Sequence, residues 1–259
     1  IAFIGAGAAN IATSKLLTSI GVKKENMIFC DSKGILNTCR KDLQIDRYNN
    51  PYKWGLCITT NLGNRSGGMK HAINGADVII AASKPGPATI VKHHIHSMAD
   101  DAIVFALANP TPEIWPWEAE EAGAHIVATG RSDFPNQINN SLVFPGVFRG
   151  ALDVRASSIT DEMCLSAAFE LASIAEEKGL HKECIVPKMD DWEVYIREAV
   201  AVGSKAMDQG ISGIKCSWQE LSSKSRSIID KARNETFMLM KKGFIAPPPN
   251  ADFYGGLKT

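Results

Sequence analysis

The chain has 259 residues, enough to bury a sizeable core in one large domain or two smaller ones. Its 28 basic and 28 acidic side chains cancel, and no lysine/arginine run is interleaved with aromatics, so a nucleic-acid partner is not expected. No stretch of about 18 apolar residues is present, and no membrane span is expected. The six cysteines (Cys30, Cys39, Cys57, Cys164, Cys184, Cys216) form no C-x-x-C pair, and several lie in apolar runs where a reduced, buried thiol is usual. Reduced thiols point to the cytoplasm. Because the chain opens on Ile1 rather than methionine, an organellar targeting peptide stays open.

In chain order, "IAFIGAG" reads as a buried strand that breaks into a turn. "NIATSKLLTSIGV" places apolar residues at helical spacing and stops at Gly21. "NMIFCDS" is a second strand ending in an acid, and "GADVIIAAS", "AIVFALANP" and "HIVATGRS" are three more short runs followed by turn chemistry. Apolar strands separated by helices predict an α/β fold, a doubly wound parallel sheet of the Rossmann kind. From about Ala156 the grammar becomes helical. "SITDEMCLSAAFELASIAEEKG" has Thr160 as N-cap and Gly179 as a stop, and two further helical runs end at Gly210 and Gly243. The expected organisation is a nucleotide-binding domain over 1–156 and a helical extension over 157–259 packed on it, closing in the extended tail "IAPPPNADFYGGLKT".

Gly5 and Gly7 fill the first two positions of G-x-G-x-x-G, and Asn10 stands at the third. Such a turn lets the backbone approach a diphosphate, whose charge meets free N–H groups at the helix start. Asp31 lies about twenty residues on, at the end of the second strand, where a carboxylate accepts from adenosine ribose hydroxyls. An acid there favours NAD by repelling a ribose phosphate. Ser32 and Lys33 follow it and could receive that phosphate, which leaves NAD and NADP both open.

Two further stretches carry amide side chains at the rim where ligands bind in such sheets. "FALANPTPE" ends a strand with Asn109 before a proline, and "TGRSDFPNQINNSLVFPGVFRGALDVRA" crowds Asn136, Gln137, Asn139 and Asn140 together. Neutral amides donate to a carboxylate or hydroxyl and accept from an amide, although asparagine is also a common turn residue.

These stretches, with "GAGAANIA", "CDSKGIL" and "GADVIIAASKPG", resemble the NAD(P)-binding half of malic enzymes, particularly the shorter bacterial-type form. The resemblance covers residues 1–156 and continues more loosely through "YIREAVAVGSKAM". It implies oxidative decarboxylation of L-malate to pyruvate and CO2 with reduction of NAD or NADP, and Mg2+ or Mn2+ in the full-length enzyme. It also implies pyrophosphate contacts at Gly5, Gly7, Ala8 and Ala9, a ribose contact at Asp31, and a nicotinamide-side neighbour at Ser83. Asn109, Asn139 and Asn140 match the asparagines that hold malate and the nicotinamide ribose. The family's base lysine, tyrosine acid and metal ligands precede the glycine turn, so no catalytic or metal-binding residue is expected in this chain, and an upstream domain is. The segment alone is then expected to bind dinucleotide without turning over malate.

Other features read as structural. The histidines of "HHIH" (His93, His94, His96) cannot all converge, and a solvated patch is expected. Asp100–Asp101 and Asp190–Asp191 read as caps at element starts. Arg131 and Asp133 read as a loop-shaping ion pair, and Arg149 and Arg155 as structural or subunit contacts. Trp115 and Trp117 suit either an interface or packing beside the sheet, and a homodimer is expected. Two alternatives remain: another NAD(P)-dependent dehydrogenase of amino or hydroxy acids, and a non-catalytic nucleotide-sensing module.

Overall fold

A computed structural model describes residues 1–246. Nearly all of the tail expected at 245–259, from residue 247 on, lies outside them. The chain divides into two compact units: Ile1–Asn139 with Leu180–Ile185, and Asn140–Gly179 with the chain from Val186 on.

The first unit is built on strands β1 (Ala2–Ile4), β2 (Ile28–Asp31), β3 (Gly34–Ile35), β4 (Val78–Ala81), β5 (Ile103–Ala106) and β6 (Ile126–Thr129). They form one sheet in the order β3-β2-β1-β4-β5-β6. The five strands expected from the sequence are all parallel, as in the pairing Ala2↔Ile28 on one side of β1 and Ala2↔Ile79 on the other. The sixth, β3, is a two-residue antiparallel return on β2. It was not foreseen, because two residues carry no period.

Side chains alternate across this sheet and fill two cores. Ala2, Ile4, Ile79, Ala81, Val104 and Ala106 face one side, where they meet helices α4 (Met69–Ile73), α5 (Lys92–His96) and α6 (Pro116–Glu121). Phe3, Phe29 and Ile80 face the other, against α1 (Ala8–Ser19), α2 (Lys41–Ile45) and α3 (Pro51–Thr59). Phe3 and Phe29 stack with ring centroids 4.3 Å apart. Burying each such ring contributes roughly 1.5–3 kcal/mol. Both faces being covered explains why the strands read as unbroken apolar runs. Burial, reinforced by the charge of Asp31, pushes the Cys30 thiol up to about 11, and none of the six cysteines is in a disulfide.

Asn136 ties residues 180–185 to this unit. Its amide donates to Lys182 O at 2.7 Å and Val127 O at 3.0 Å, and its oxygen accepts from the Ile185 amide at 2.9 Å. Its φ of 55° is left-handed, which asparagine tolerates better than most residues.

The second unit is helical: α7 (Phe144–Asp153), α8 (Asp161–Glu177), α9 (Trp192–Asp208) and α10 (Trp218–Lys241). Helix α9 is its centre and packs against the other three. Glycines permit the close approach. A Cβ on Gly150 would stand 2.4 Å from Ala199 O, and one on Gly146 would stand 2.3 Å from a Glu198 carboxylate oxygen. The division therefore falls before α7, ahead of the change of rhythm at 156, because α7 buries its small-residue face on α9. Thr160 caps α8 by accepting from the Met163 amide at 3.2 Å, and Gly179 follows it with φ +89°. None of the described helices is long and apolar enough to cross a membrane.

Candidate dinucleotide site

In the strand order, β1 is the point of reversal: β2 lies on one side and β4 on the other. Ligands of such sheets bind beyond the carboxyl ends of the strands at that point. Gly5 leaves β1 there with φ +99°, and a Cβ on it would stand 2.5 Å from Ala82 O. Only glycine fits this crossing. Gly7 begins α1 with ordinary extended geometry and no side-chain cap, and the first turn contains no acid. Gly7, Ala8 and Ala9 are all exposed. The helix thus presents uncapped N–H groups and its positive dipole end to solvent, an arrangement suited to an anion.

Asn10, the residue at the third glycine position, is turned inward. It is buried, and its amide lies within hydrogen-bond distance of the carbonyls of Gly5 (2.8 Å), Ile4 (3.1 Å) and Ile80 (3.3 Å). The departure from the fingerprint braces the turn against β1 and β4 and leaves its outer surface bare.

Asp31 ends β2 as expected, but its carboxylate is engaged. Arg40 donates to both oxygens at 3.1 and 3.3 Å, the Lys33 amide donates at 2.9 Å, and Lys53 lies 3.6 Å away. Burial pushes the carboxyl up. The hydrogen bonds from Arg40 and Lys33, with the charges of Arg40 and Lys53, outweigh it and hold the group below its ordinary value. Arg40 also grips Asp42, at 2.8 Å from each of two nitrogens. Ser32 and Lys33 are exposed, with the Lys33 ammonium 3.3 Å from Asp42. This corner carries three cations against two carboxylates. Neither Arg40 nor Lys53 was singled out in the sequence, since each meets Asp31 only through the folded loop.

The loops after β4 and β5 are joined by Glu113, which is 0% exposed. Its carboxylate accepts from the Ser83 amide (2.8 Å), the Ser83 hydroxyl (3.0 Å) and the Ala108 amide (3.0 Å). Sequence reading assigned Glu113 no role, because a glutamate after a proline carries no sign of burial. Asn109 is exposed beside it, its amide close to the space a Gly130 Cβ would occupy, at 2.9 Å. The Asn139 amide donates to Gly130 O at 3.0 Å. Asn109 and Asn139 thus converge on Gly130 in the first unit. Asn140 begins the second unit, exposed, in the 3-10 turn Asn140–Leu142.

Arg131 and Asp133 form the expected ion pair, at 2.8 and 2.6 Å, and Arg131 also donates to Pro110 O at 2.9 Å. Trp115 and Trp117 stack with ring centroids 5.0 Å apart, and Phe134 meets them at a steep angle at 6.1 and 5.9 Å, with Trp117 half exposed. Within the second unit, Arg149 bonds Asp153 at 2.6 Å, and Arg155 turns the chain with φ 52°. Asp191 caps α9, whereas Asp100–Asp101 sit in a turn before β5 with Asp101 at φ 55°. The capping expectation fails at this second pair because a strand, not a helix, follows. No group of three or more His, Cys, Asp or Glu able to hold a metal occurs among the described residues, and His93, His94 and His96 lie along the short helix α5.

Comparison with known proteins identifies the family and the fold. The family "Malic enzyme, NAD binding domain" matches residues 1–207. The chain is 44% identical over 224 residues to the bifunctional malic/malolactic enzyme of Bacillus subtilis, covering 86% of this chain and 52% of that protein. It is 42% identical over 212 residues to an NAD-dependent malic enzyme of Geobacillus stearothermophilus, covering 82% and 42%. The crystal structure of the Entamoeba histolytica malic enzyme superposes with a TM-score of 0.91 at 40% identity, over 96% of this chain and 51% of that one. The Pyrococcus horikoshii malic enzyme gives 0.85 at 46%, over 93% and 55%. The chain spans about half the length of these relatives. It belongs to the malic enzyme NAD-binding domain family.

Proposed function

We propose that this chain is the NAD(P)-binding portion of a malic enzyme, which converts L-malate to pyruvate and CO2 and reduces NAD or NADP. The observation that carries the reading is the glycine turn: a strand end where only glycine fits, opening an exposed and uncapped helix start at the point of strand reversal. That cradle fits a dinucleotide diphosphate. When bound, the dinucleotide supplies a nicotinamide ring that takes hydride from the malate carbinol carbon.

The chain's own residues bind and orient. Gly7, Ala8 and Ala9 grip the diphosphate through backbone N–H groups, while Gly5, whose own N–H is donated to Cys30 O at 2.8 Å, shapes the turn that brings them to it. Asp31, Ser32 and Lys33, with Arg40, form the adenosine-ribose corner. Ser83 lies on the nicotinamide side. Asn109, Asn139 and Asn140 offer neutral amides to malate and to the nicotinamide ribose. No group of three or more His, Cys, Asp or Glu side chains that could hold the divalent metal of the reaction occurs among the described residues. The same proposal carries a homodimer in the cytoplasm, checked by sedimentation of the enzyme and by cell fractionation.

The test is an assay of the enzyme containing this chain with L-malate, Mn2+ and each nicotinamide nucleotide. Malate-dependent formation of NADH or NADPH with CO2 is expected. Reduction with amino acids or other hydroxy acids, and none with malate, would favour the other dehydrogenase.

A further inference from the structure

We propose that Glu113 is the positioning residue of the nicotinamide side: its buried carboxylate locks the loop after β4 to the loop after β5 and turns Ser83 into a hydrogen-bond acceptor for the cofactor. The proposal rests on the dinucleotide reading above.

Three donors converge on this carboxylate, two from Ser83 on one oxygen and the Ala108 amide on the other. The Glu113 backbone is fixed as well, since its carbonyl accepts from the Ile90 amide at 2.9 Å. Strand pairing does not require this bridge. The registers Ile79↔Val104 through Ala81↔Ala106, and the bond from the Leu107 amide to Ala81 O at 2.9 Å, already join β4 to β5. The carboxylate acts just beyond the last paired residues, on the two segments that carry Ser83 and Asn109.

The chemistry at Ser83 follows from the donor count. A serine hydroxyl has one hydrogen and two lone pairs. Its hydrogen is committed to Glu113 at 3.0 Å, and its backbone N–H is committed to the same oxygen at 2.8 Å. What remains on Oγ is acceptor capacity. A nicotinamide carboxamide carries an NH2 donor, so Ser83 is matched to that end of the group and fixes which way the amide points. Residue type matters here. Glutamine at 113 has one oxygen, and its NH2 would face either the Ser83 amide or the Ala108 amide, donor against donor.

The experiment uses this chain, NADH and NADPH, and the emission of the reduced nicotinamide ring at saturation, beside the dissociation constant and the melting temperature. For Glu113→Gln the dissociation constant is expected to change by no more than about threefold, because most of the grip lies on the diphosphate. Emission enhancement per bound molecule is expected to fall by about half or more as the ring loses its fixed partner. In the complete enzyme, kcat should fall about tenfold with the nucleotide KM within about threefold. Ser83→Ala keeps the Ala108 bond and the Ser83 backbone bond, and should show the same loss of emission if Glu113→Gln does not fold. Wild-type emission at saturation in both variants would overturn the positioning role, even if their melting temperatures drop. A wild-type chain that binds neither nucleotide would instead overturn the dinucleotide reading beneath it.

Discussion

Arg40 lies across Asp31 and donates to both of its carboxylate oxygens, at 3.1 and 3.3 Å. The acid that would otherwise repel a ribose phosphate is thereby neutralised, with Lys53 3.6 Å away adding a second cation. Arg40→Ala should uncover the carboxylate. Affinity for NADP is expected to fall roughly tenfold more than affinity for NAD, about 1.4 kcal/mol of discrimination. Calorimetric titration of both nucleotides into both proteins checks this. Equal losses would assign Arg40 to loop structure alone.

Gly5 and Gly7 should separate fold from binding. Gly5→Ala forces a side chain to φ +99° and to 2.5 Å from Ala82 O, and should cost at least ~2 kcal/mol of stability. Gly7 has no neighbour within 4 Å of its Cβ position and an ordinary φ of −93°. Gly7→Ala should therefore stay within ~1 kcal/mol of wild type by denaturant unfolding while weakening dinucleotide binding about tenfold.

Much of this part of the fold is legible without coordinates. Each of the five parallel strands is a short apolar run, because both of its faces are buried, and local turn chemistry marks where each one stops. Thr160 and Gly179 are local signals for a helix start and stop, and both act as such. What escapes is long-range. Arg40 meets Asp31 only through the folding back of a loop, and Glu113 meets Ser83 across 30 positions of sequence. Asn10 breaks the glycine fingerprint and strengthens the turn, a role visible only once its amide is seen under the carbonyls of β1 and β4. The unit boundary escapes for a related reason: α7 looks like a continuation of the rim until its glycines are seen against α9.

Glu198 gives the helical unit a pH dependence. It is buried on α9 with neither carboxylate oxygen bonded, and burial, reinforced by the charge of Glu170, pushes it up to about 9 from 4.5. The folded state then holds its proton more tightly than the unfolded state. The contribution of Glu198 to stability is fully present below pH 4.5 and is lost progressively as pH rises towards 9. Glu198→Gln should match wild type near the lower limit and exceed it by the order of 3 kcal/mol at pH 7. Urea unfolding across that range reads the divergence. Parallel curves would show that Glu198 finds a partner on ionising.

Asn136 should be the anchor of residues 180–185. Asn136→Ala removes three hydrogen bonds and leaves alanine at φ 55°, a loss of about 3 kcal/mol. Hydrogen exchange should show the Ile185 amide losing protection far more than the amides of β1. Unchanged protection at Ile185 would mean that other contacts hold the segment.

The central claim is that the turn between β1 and α1 grips a dinucleotide diphosphate. The most direct measurement is calorimetric titration of NADH and NADPH into this chain and into its Gly7→Ala variant. Saturable one-to-one binding by the wild type, weakened about tenfold in the folded variant, is the predicted result. Heats indistinguishable from dilution in the wild type, or equal affinity in the two proteins, would contradict it.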